Sequence, residues 1–317
     1  MDITVVAAAR EDASPVDEPL RVAQQADRLG YPEVWLGEGP TWDAFVLAAA
    51  VGAGTRRVAL TAGPVAVSVR DPHGIARGAA SVAAVTGRPV GVALGTSSKR
   101  VVEGVHDRAR ERPAATLEAT AAALRDLLHG APGEPVVPGS AFRRRHRPPG
   151  GPLTVAAFGD RAISVAARYA DRMLLDVVSP EQVRALRARL LAAAGEARRT
   201  PPTLAAWVPA AVDPDPASLT QAMRSVVGYL TVPGYREMFE EAGFGETVAL
   251  ARTGADADTL LRALPEEAAA TVGLIGGPDT VRARMDAYAE AGLDEMALVP
   301  ATAGDPGGER TLTALAP

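Results

Sequence analysis

Short apolar runs alternate along the chain with longer amphipathic stretches, the pattern of βα units around a parallel sheet. Residues 3–8 predict the first strand. A helix over 15–30 follows, with Leu20, Ala23, Ala26 and Leu29 on one face and Gly30 as its stop. Residues 33–37 (EVWLG) predict the second strand, and Asp43 caps a helix running to Ala53. The third strand is expected over 57–67 with its helix over 73–85, and the fourth over 89–94 with its helix over 114–128. Strands five, six and seven are expected at 153–158, 173–177 and 203–212, with helices from Arg161 and over 180–198 between them. A last helix over 278–292 leads to an eighth strand over 295–299.

Eight strands in a chain of this length fit a closed (β/α)₈ barrel, which typically takes ~250 residues. An open doubly wound sheet is the rival, but no GxGxxG follows the first strand. Two stretches interrupt the regular alternation. Residues 131–150, dense in Pro, Gly and Arg, predict a surface insertion, whose run Arg143, Arg144, Arg145 reads as a solvated face. Residues 213–270, helical over 217–264, predict an excursion after strand seven of the kind that covers a barrel mouth.

Composition narrows the chemistry. The 317 residues are 47% apolar, enough for one large barrel. A net charge of −5 argues against partners held by a basic surface, so neither nucleic acid nor membrane is expected. There is no cysteine, which excludes disulfides, thiolate catalysis and cysteine-held iron–sulfur clusters. Lys99 is the only lysine, so phosphate binding would fall to arginine and backbone amides. The start of the chain, with Asp2 and a short apolar run, has no basic, long-apolar leader, and a cytoplasmic location is expected. No HxH or HExxH spacing occurs, and no metal site is expected.

In a (β/α)₈ barrel the reacting groups sit at the C-terminal ends of the strands. Those ends here include AAARED, LGEGPTWD, AGPVAVSVRDP, LGTSSKR, AFGDRA and LVP, rich in Gly, Ser, Thr and Pro. Glycine there lets backbone approach a flat ligand closely. In these segments the chain resembles the luciferase-like flavin-dependent family. The matching residues are 34–38 (VWLGE), 43–45, 60–72 (LTAGPVAVSVRDP), 87–96 (GRPVGVALGT), 276–279 (GGPD) and 288–292 (YAEAG). Within that family, 95–107 (GTSSKRVVEGVHD) looks most like the branch that uses coenzyme F420, although Val105 stands where such members often carry tryptophan.

The resemblance implies a cofactor site. Ala62, Gly63 and Pro64 align with a strand end where the family has a cis peptide bulging toward the ring; the Gly63–Pro64 bond is expected cis, the alternative being an ordinary trans proline. Gly95, Thr96, Ser97 and Ser98 would lie along the cofactor's pyrimidine or linker, or else only cap a helix. Phe158, Gly159, Asp160 and Arg161, at a helix start, are the expected phosphate loop. Glu38 fits the family's acidic position beside the ring, or caps the following helix; Gly39 replaces the usual histidine. His106, flanked by Glu103 and Asp107, is the best imidazole for acid–base work, whereas His73 reads as a helix start and His129 and His146 as surface residues. Trp42 walls the substrate pocket or packs in the core, and Arg100 is a further substrate-binding candidate.

The function implied is an F420H2-dependent oxidoreductase. It would move hydride between coenzyme F420 and a small molecule or peptide bearing an activated C=C or C=N bond, dehydroamino-acid peptides being one such class. The alternatives are an FMN-dependent luciferase-like monooxygenase and a flavin- or deazaflavin-binding barrel without turnover. A homodimer is expected by the same resemblance, with the helix containing Ala48, Ala49, Ala50 and Val51 either packing against the partner or lying on the barrel wall.

Overall fold

The computed structural model describes residues 1–8, 14–40 and 42–317. Its strands are Asp2–Val6 (β1), Glu33–Leu36 (β2), Ala59–Ala66 (β3), Val90–Gly95 (β4), Gly150–Ala156 (β5), Arg172–Asp176 (β6), Thr203–Val212 (β7), Leu274–Gly276 (β8) and Glu295–Pro300 (β9). All pairings among them are parallel. β1 pairs with both β2 and β9, β6 pairs with β7, and β7 pairs with β9, so eight strands close into a (β/α)₈ barrel. β8 adds a ninth, short strand along the far half of β7. Three residues are too few for a periodic signal, which is why the sequence pattern does not predict it.

The helices lie where the amphipathic stretches place them: Glu18–Leu29 (α1), Ala44–Gly54 (α2), Pro72–Thr86 (α3), a short Lys99–Gly104 (α4), Pro113–Leu127 (α5), Asp160–Tyr169 (α6) and Pro180–Glu196 (α7). Local chemistry sets their ends. Gly30 and Gly87 stop α1 and α3 in the left-handed conformation. The Asp43 carboxylate accepts from the Phe45 and Val46 amides at 2.9 and 3.0 Å to start α2. On α2, Ala48 and Val51 are buried on the barrel wall, while Val46 remains exposed.

The excursion after β7 is built from Pro216–Val227 (α8), Tyr235–Phe239 (α9), a wide π turn, Gly245–Arg252 (α10), Ala257–Ala263 (α11) and Glu267–Val272 (α12). Buried Leu230, Met238 and Phe239 pin it to the core. Pro278–Glu290 (α13) precedes β9, and Glu309–Ala314 (α14), which the pattern does not predict, closes the chain. Residues 131–149 are mostly exposed, tied by a bridge between Pro135 and Arg143 and by the Arg144 guanidinium donating to the Leu127 carbonyl at 2.7 Å. Among the described residues no helix is long and apolar enough to cross a membrane.

Alternation of side chains along each strand divides the barrel interior into layers. The bottom layer is polar. Arg172 donates to Glu33 at 2.8 Å and to Glu295 at 2.7 Å, with Thr4, Thr61 and Thr154 completing the network. Trp35 lies above it, its ring 3.9 Å from the Arg172 guanidinium carbon. One large indole fills this middle layer because its neighbours Val6, Ala93, Ala205 and Ala297 are small.

Candidate active site

Two residues along β6 from Leu174, and four from Arg172, the same inward face reaches Asp176 at the C-terminal end of the strand. Beside it on β7 stands Trp207, paired in register with Asp176 and meeting Trp35 edge-on at 6.0 Å between ring centroids. The other inward positions at this level are nearly without side chains. A Cβ on Gly37 would stand 3.5 Å from the Trp207 ring, and one on Gly95 would stand 3.3 Å from the Pro64 Cβ. Gly63, at φ +117°, has no room for a Cβ at all: it would fall 2.3 Å from the Ala93 carbonyl oxygen. The Gly63–Pro64 bond is cis, as the aligned position leads one to expect.

These small residues leave a cavity of about 800 Å³ at the barrel mouth, floored by Leu174 and Trp207 and walled on one side by the excursion. That wall is a string of stacked rings. Phe158 at the end of β5 stacks on Tyr235 at 4.4 Å, and Tyr235 packs against Tyr229 at 4.7 Å. Gly234 makes the first contact feasible, since a Cβ there would lie 2.3 Å from the Phe158 ring. The Tyr229 hydroxyl donates to an Asp176 carboxylate oxygen. Burial pushes the Asp176 carboxyl up to about 6, against the lowering effect of that hydrogen bond and of the Val177 amide. The charge of Asp176 and then burial hold Tyr229 well above the ordinary phenol range; for Tyr235 burial leads and the charge adds to it.

The turn 95–98 forms the opposite edge. Arg110 donates to the Thr96 and Ser97 carbonyls at 3.3 and 2.9 Å and to the Thr96 hydroxyl at 3.3 Å, which fixes the turn. Ser98 caps α4, its hydroxyl accepting from the Val101 amide at 3.2 Å. α6 begins at Gly159 on the cavity wall, so its first free amides lie at the rim.

Of the residues singled out in the sequence, Pro64, Gly95, Thr96, Ser97, Ser98, Phe158 and Gly159 line this cavity. Gly63 lies on β3, and Glu38 and Thr96 follow the ends of the adjacent strands β2 and β4; of the three, Thr96 lines the cavity, whereas Glu38 and Gly63 do not. Glu38 accepts from Arg70 at 3.1 and 2.6 Å and from the Ala44 amide at 3.3 Å, an anchor for the start of α2 that Asp43 completes through its own 2.6 Å pair with Arg70. Ala62 is buried between the strands and the helical layer. Trp42 is half-buried against the core, and His106 sits half-buried in the turn after α4. Arg100 and Arg161 are exposed, and Asp160 pairs with Arg189 on α7. Ala9 to Asp12, in the strand-one end AAARED, lie outside the described residues. The sequence reading overlooks Asp176, Trp207, Tyr229 and Tyr235; the first two carried a usable signal, being polar or large at inward positions of strands six and seven.

The upper layer supplies one unsatisfied group. The indole N–H of Trp207 is buried and has no hydrogen-bond partner among the described residues. A buried donor left unpaired costs ~1–3 kcal/mol, which an acceptor able to reach it would recover. Flat rings with carbonyl or ring-nitrogen acceptors, followed by a polar chain and a phosphate, match the Gly-rich floor, the hydroxyl-lined turn and the helix start in that order. A flavin or deazaflavin cofactor has this chemistry, and the residues present fit it.

Comparison with known proteins gives the same picture of the fold. Among solved structures, the coenzyme F420-dependent tetrahydromethanopterin reductase from Methanopyrus kandleri superposes with a TM-score of 0.83 at 17% identity, over 100% of this chain and 98% of that one. An F420-dependent secondary alcohol dehydrogenase in complex with an F420–acetone adduct gives 0.76 at 17% identity, over 99% and 98%. The oxygenating constituent of 3,6-diketocamphane monooxygenase from the CAM plasmid of Pseudomonas putida, in complex with FMN, gives 0.70 at 15% identity, over 100% and 97%. No curated protein sequence matches the chain. The family model for luciferase-like monooxygenases matches residues 1–295, and the chain belongs to that family.

Proposed function

We propose that the protein is an F420H2-dependent oxidoreductase that reduces an activated C=C or C=N bond, or runs the corresponding oxidation. The observation that carries this reading is the mouth cavity itself: a space opened by small residues over Leu174 and Trp207, bounded by a hydroxyl-bearing turn and a helix start. When bound, the cofactor supplies the hydride chemistry. The protein's own part would be to hold the cofactor with the residues of this mouth, Trp207 beneath the ring, the 95–98 turn along its polar chain and the α6 start at Gly159 near its phosphate, while the Phe158–Tyr235–Tyr229 wall would shield the substrate side from water.

The choice of F420 over FMN rests on the likeness of 95–107 to the F420-using branch and on the two F420-dependent neighbours. A luciferase-like FMN monooxygenase is the second reading, favoured by the FMN-bound neighbour. Glycine at position 39, where the family carries an imidazole, is the observation favouring a binding barrel without turnover.

Fluorescence titration of the protein with F420 and with FMN, paired with thermal-shift measurements, tests the assignment. Saturable quenching by F420 and a raised melting temperature are expected, with no comparable response to FMN. A response to FMN alone overturns the deazaflavin assignment, and a response to neither overturns the cofactor site.

A further inference from the structure

We propose that Asp176, positioned by Tyr229, is the group that holds the substrate's proton in this cavity and exchanges it during reduction or oxidation. The proposal rests on the oxidoreductase reading above and adds the residue it lacks.

Asp176 is the only carboxylate among the described residues that lines the cavity. The titratable groups sharing that lining are Tyr229, Tyr235, Lys99 and Arg110. Neither cation neutralises it. Arg110 is spent on the 95–98 turn, and Lys99 is exposed beside Glu103 at 3.5 Å. Asp176 is in register with Trp207 on β7, and the residues that line the cavity from β5 and just beyond its end, Ala156, Ala157 and Phe158, are uncharged. Every other strand-borne acid in the barrel interior is tied to Arg172. Among the described residues Asp176 is left with a phenol and a backbone amide, partners that favour its anion but bring no positive charge. An acid in this setting is poised near neutrality, where both its forms are populated and proton transfer in either direction is efficient.

The step balances simply. Reduction of a polarised double bond places a hydride, drawn with its electron pair from the reduced flavin-type cofactor, on one atom. Asp176 gives its carboxyl proton to the other atom. The carboxylate left behind is stabilised by donation from the Tyr229 hydroxyl and the Val177 amide and regains its proton from water. In oxidation the same carboxylate accepts the proton.

Difference infrared spectroscopy of the cofactor-free protein, with wild type, D176N and Y229F titrated across the neutral and acid range, tests the proton-holding state directly. The expected wild-type signal is a protonated-carboxyl band disappearing with a midpoint near 6, absent in D176N and moved to higher pH in Y229F, which lacks a hydrogen bond that favours the anion. A midpoint at the ordinary value of 3.8, or no movement in Y229F, overturns the proposal. The second arm labels carboxyls with a water-soluble carbodiimide and maps them by mass spectrometry, with and without F420. Labelling of Asp176 at acid pH and protection by F420 are expected. No labelling at acid pH, or no protection although fluorescence shows F420 bound, overturns the cavity-side role. Single-turnover oxidation of F420H2 by a panel of enones and imines completes the test. D176N is expected to react about a hundredfold more slowly with unchanged F420 affinity. Equal rates overturn the proposal. A wild type that titrates near 6 but does not bind F420 instead overturns the functional reading on which it rests.

Discussion

The two ends of the barrel interior are built on the same plan and differ in one respect, the pairing of polar groups. At the bottom, Arg172 is 5% exposed, Glu295 7%, and each charge faces its opposite; the Trp35 N–H donates to Thr4 at 3.1 Å and to Glu295 at 3.2 Å. At the top, among the described residues, Asp176 has no cation and the Trp207 N–H has no acceptor. A closed set of partners stores stability, whereas an open set is a place for a ligand. β6 runs between both ends and carries Arg172 and Asp176 four residues apart on one face, so the contrast comes from partners rather than from position along a different element.

Breaking the closed end gives the largest expected effect. In R172M, Glu33 and Glu295 lose the guanidinium that offsets their burial, and the loss of one partner from a buried ion pair costs about 3–5 kcal/mol. Arg172 is itself held charged in the native state: burial works against its positive form, but the two glutamates outweigh it. Urea unfolding monitored by circular dichroism reads the loss, and F420 affinity of the folded fraction stays unchanged. If R172M weakens cofactor binding as strongly as it weakens the fold, the two ends are not the separate units described here.

The open end responds to pH instead. Asp176 has a folded value near 6 against an ordinary 3.8, so between these values the native protein binds more protons than the unfolded chain. The contribution of Asp176 to stability is therefore expected to fall as pH rises from about 4 to about 6 and to level off above, by up to about 3 kcal/mol, less to the extent that the cavity admits water. D176N removes that slope and is more stable than wild type at neutral pH. Unfolding free energies of both proteins measured across this range check these statements; a difference between wild type and D176N that stays constant over the interval contradicts them.

The fold was legible because short apolar runs and amphipathic helical stretches alternate regularly, and caps such as Asp43 and Gly30 mark their ends in single letters. The rim was legible where it is made of contiguous glycine and hydroxyl residues, as in 95–98. The floor was not. Asp176 and Trp207 lie inside strands six and seven, in runs that read as buried β-structure, and only barrel closure gives an inward position its meaning. Tyr229 and Tyr235 reach the site from an excursion with no strand register to place them. Glu38 was visible at a strand end, but its pairing with Arg70, 32 residues later, is a tertiary fact. Reading every strand for polar residues on the inner face, rather than only the residues after its end, would have brought out Asp176.

The two indoles give the finest form of the comparison, with one substitution made at each end. W35F removes a donor that Thr4 and Glu295 use, so it is expected to cost about 1–3 kcal/mol in unfolding free energy while leaving F420 affinity alone. W207F removes a donor that no described residue uses. Its stability is expected to stay within about 1 kcal/mol of wild type, since the lost ring area is partly offset by removal of an unpaired buried N–H. F420 affinity, in contrast, is expected to fall about three- to tenfold, the worth of one ordinary hydrogen bond. The pair separates the readings cleanly when both variants are measured by the same urea and fluorescence titrations. If W207F binds F420 as tightly as wild type, the orphan N–H is no anchor, and the ring must be held by the 95–98 edge alone.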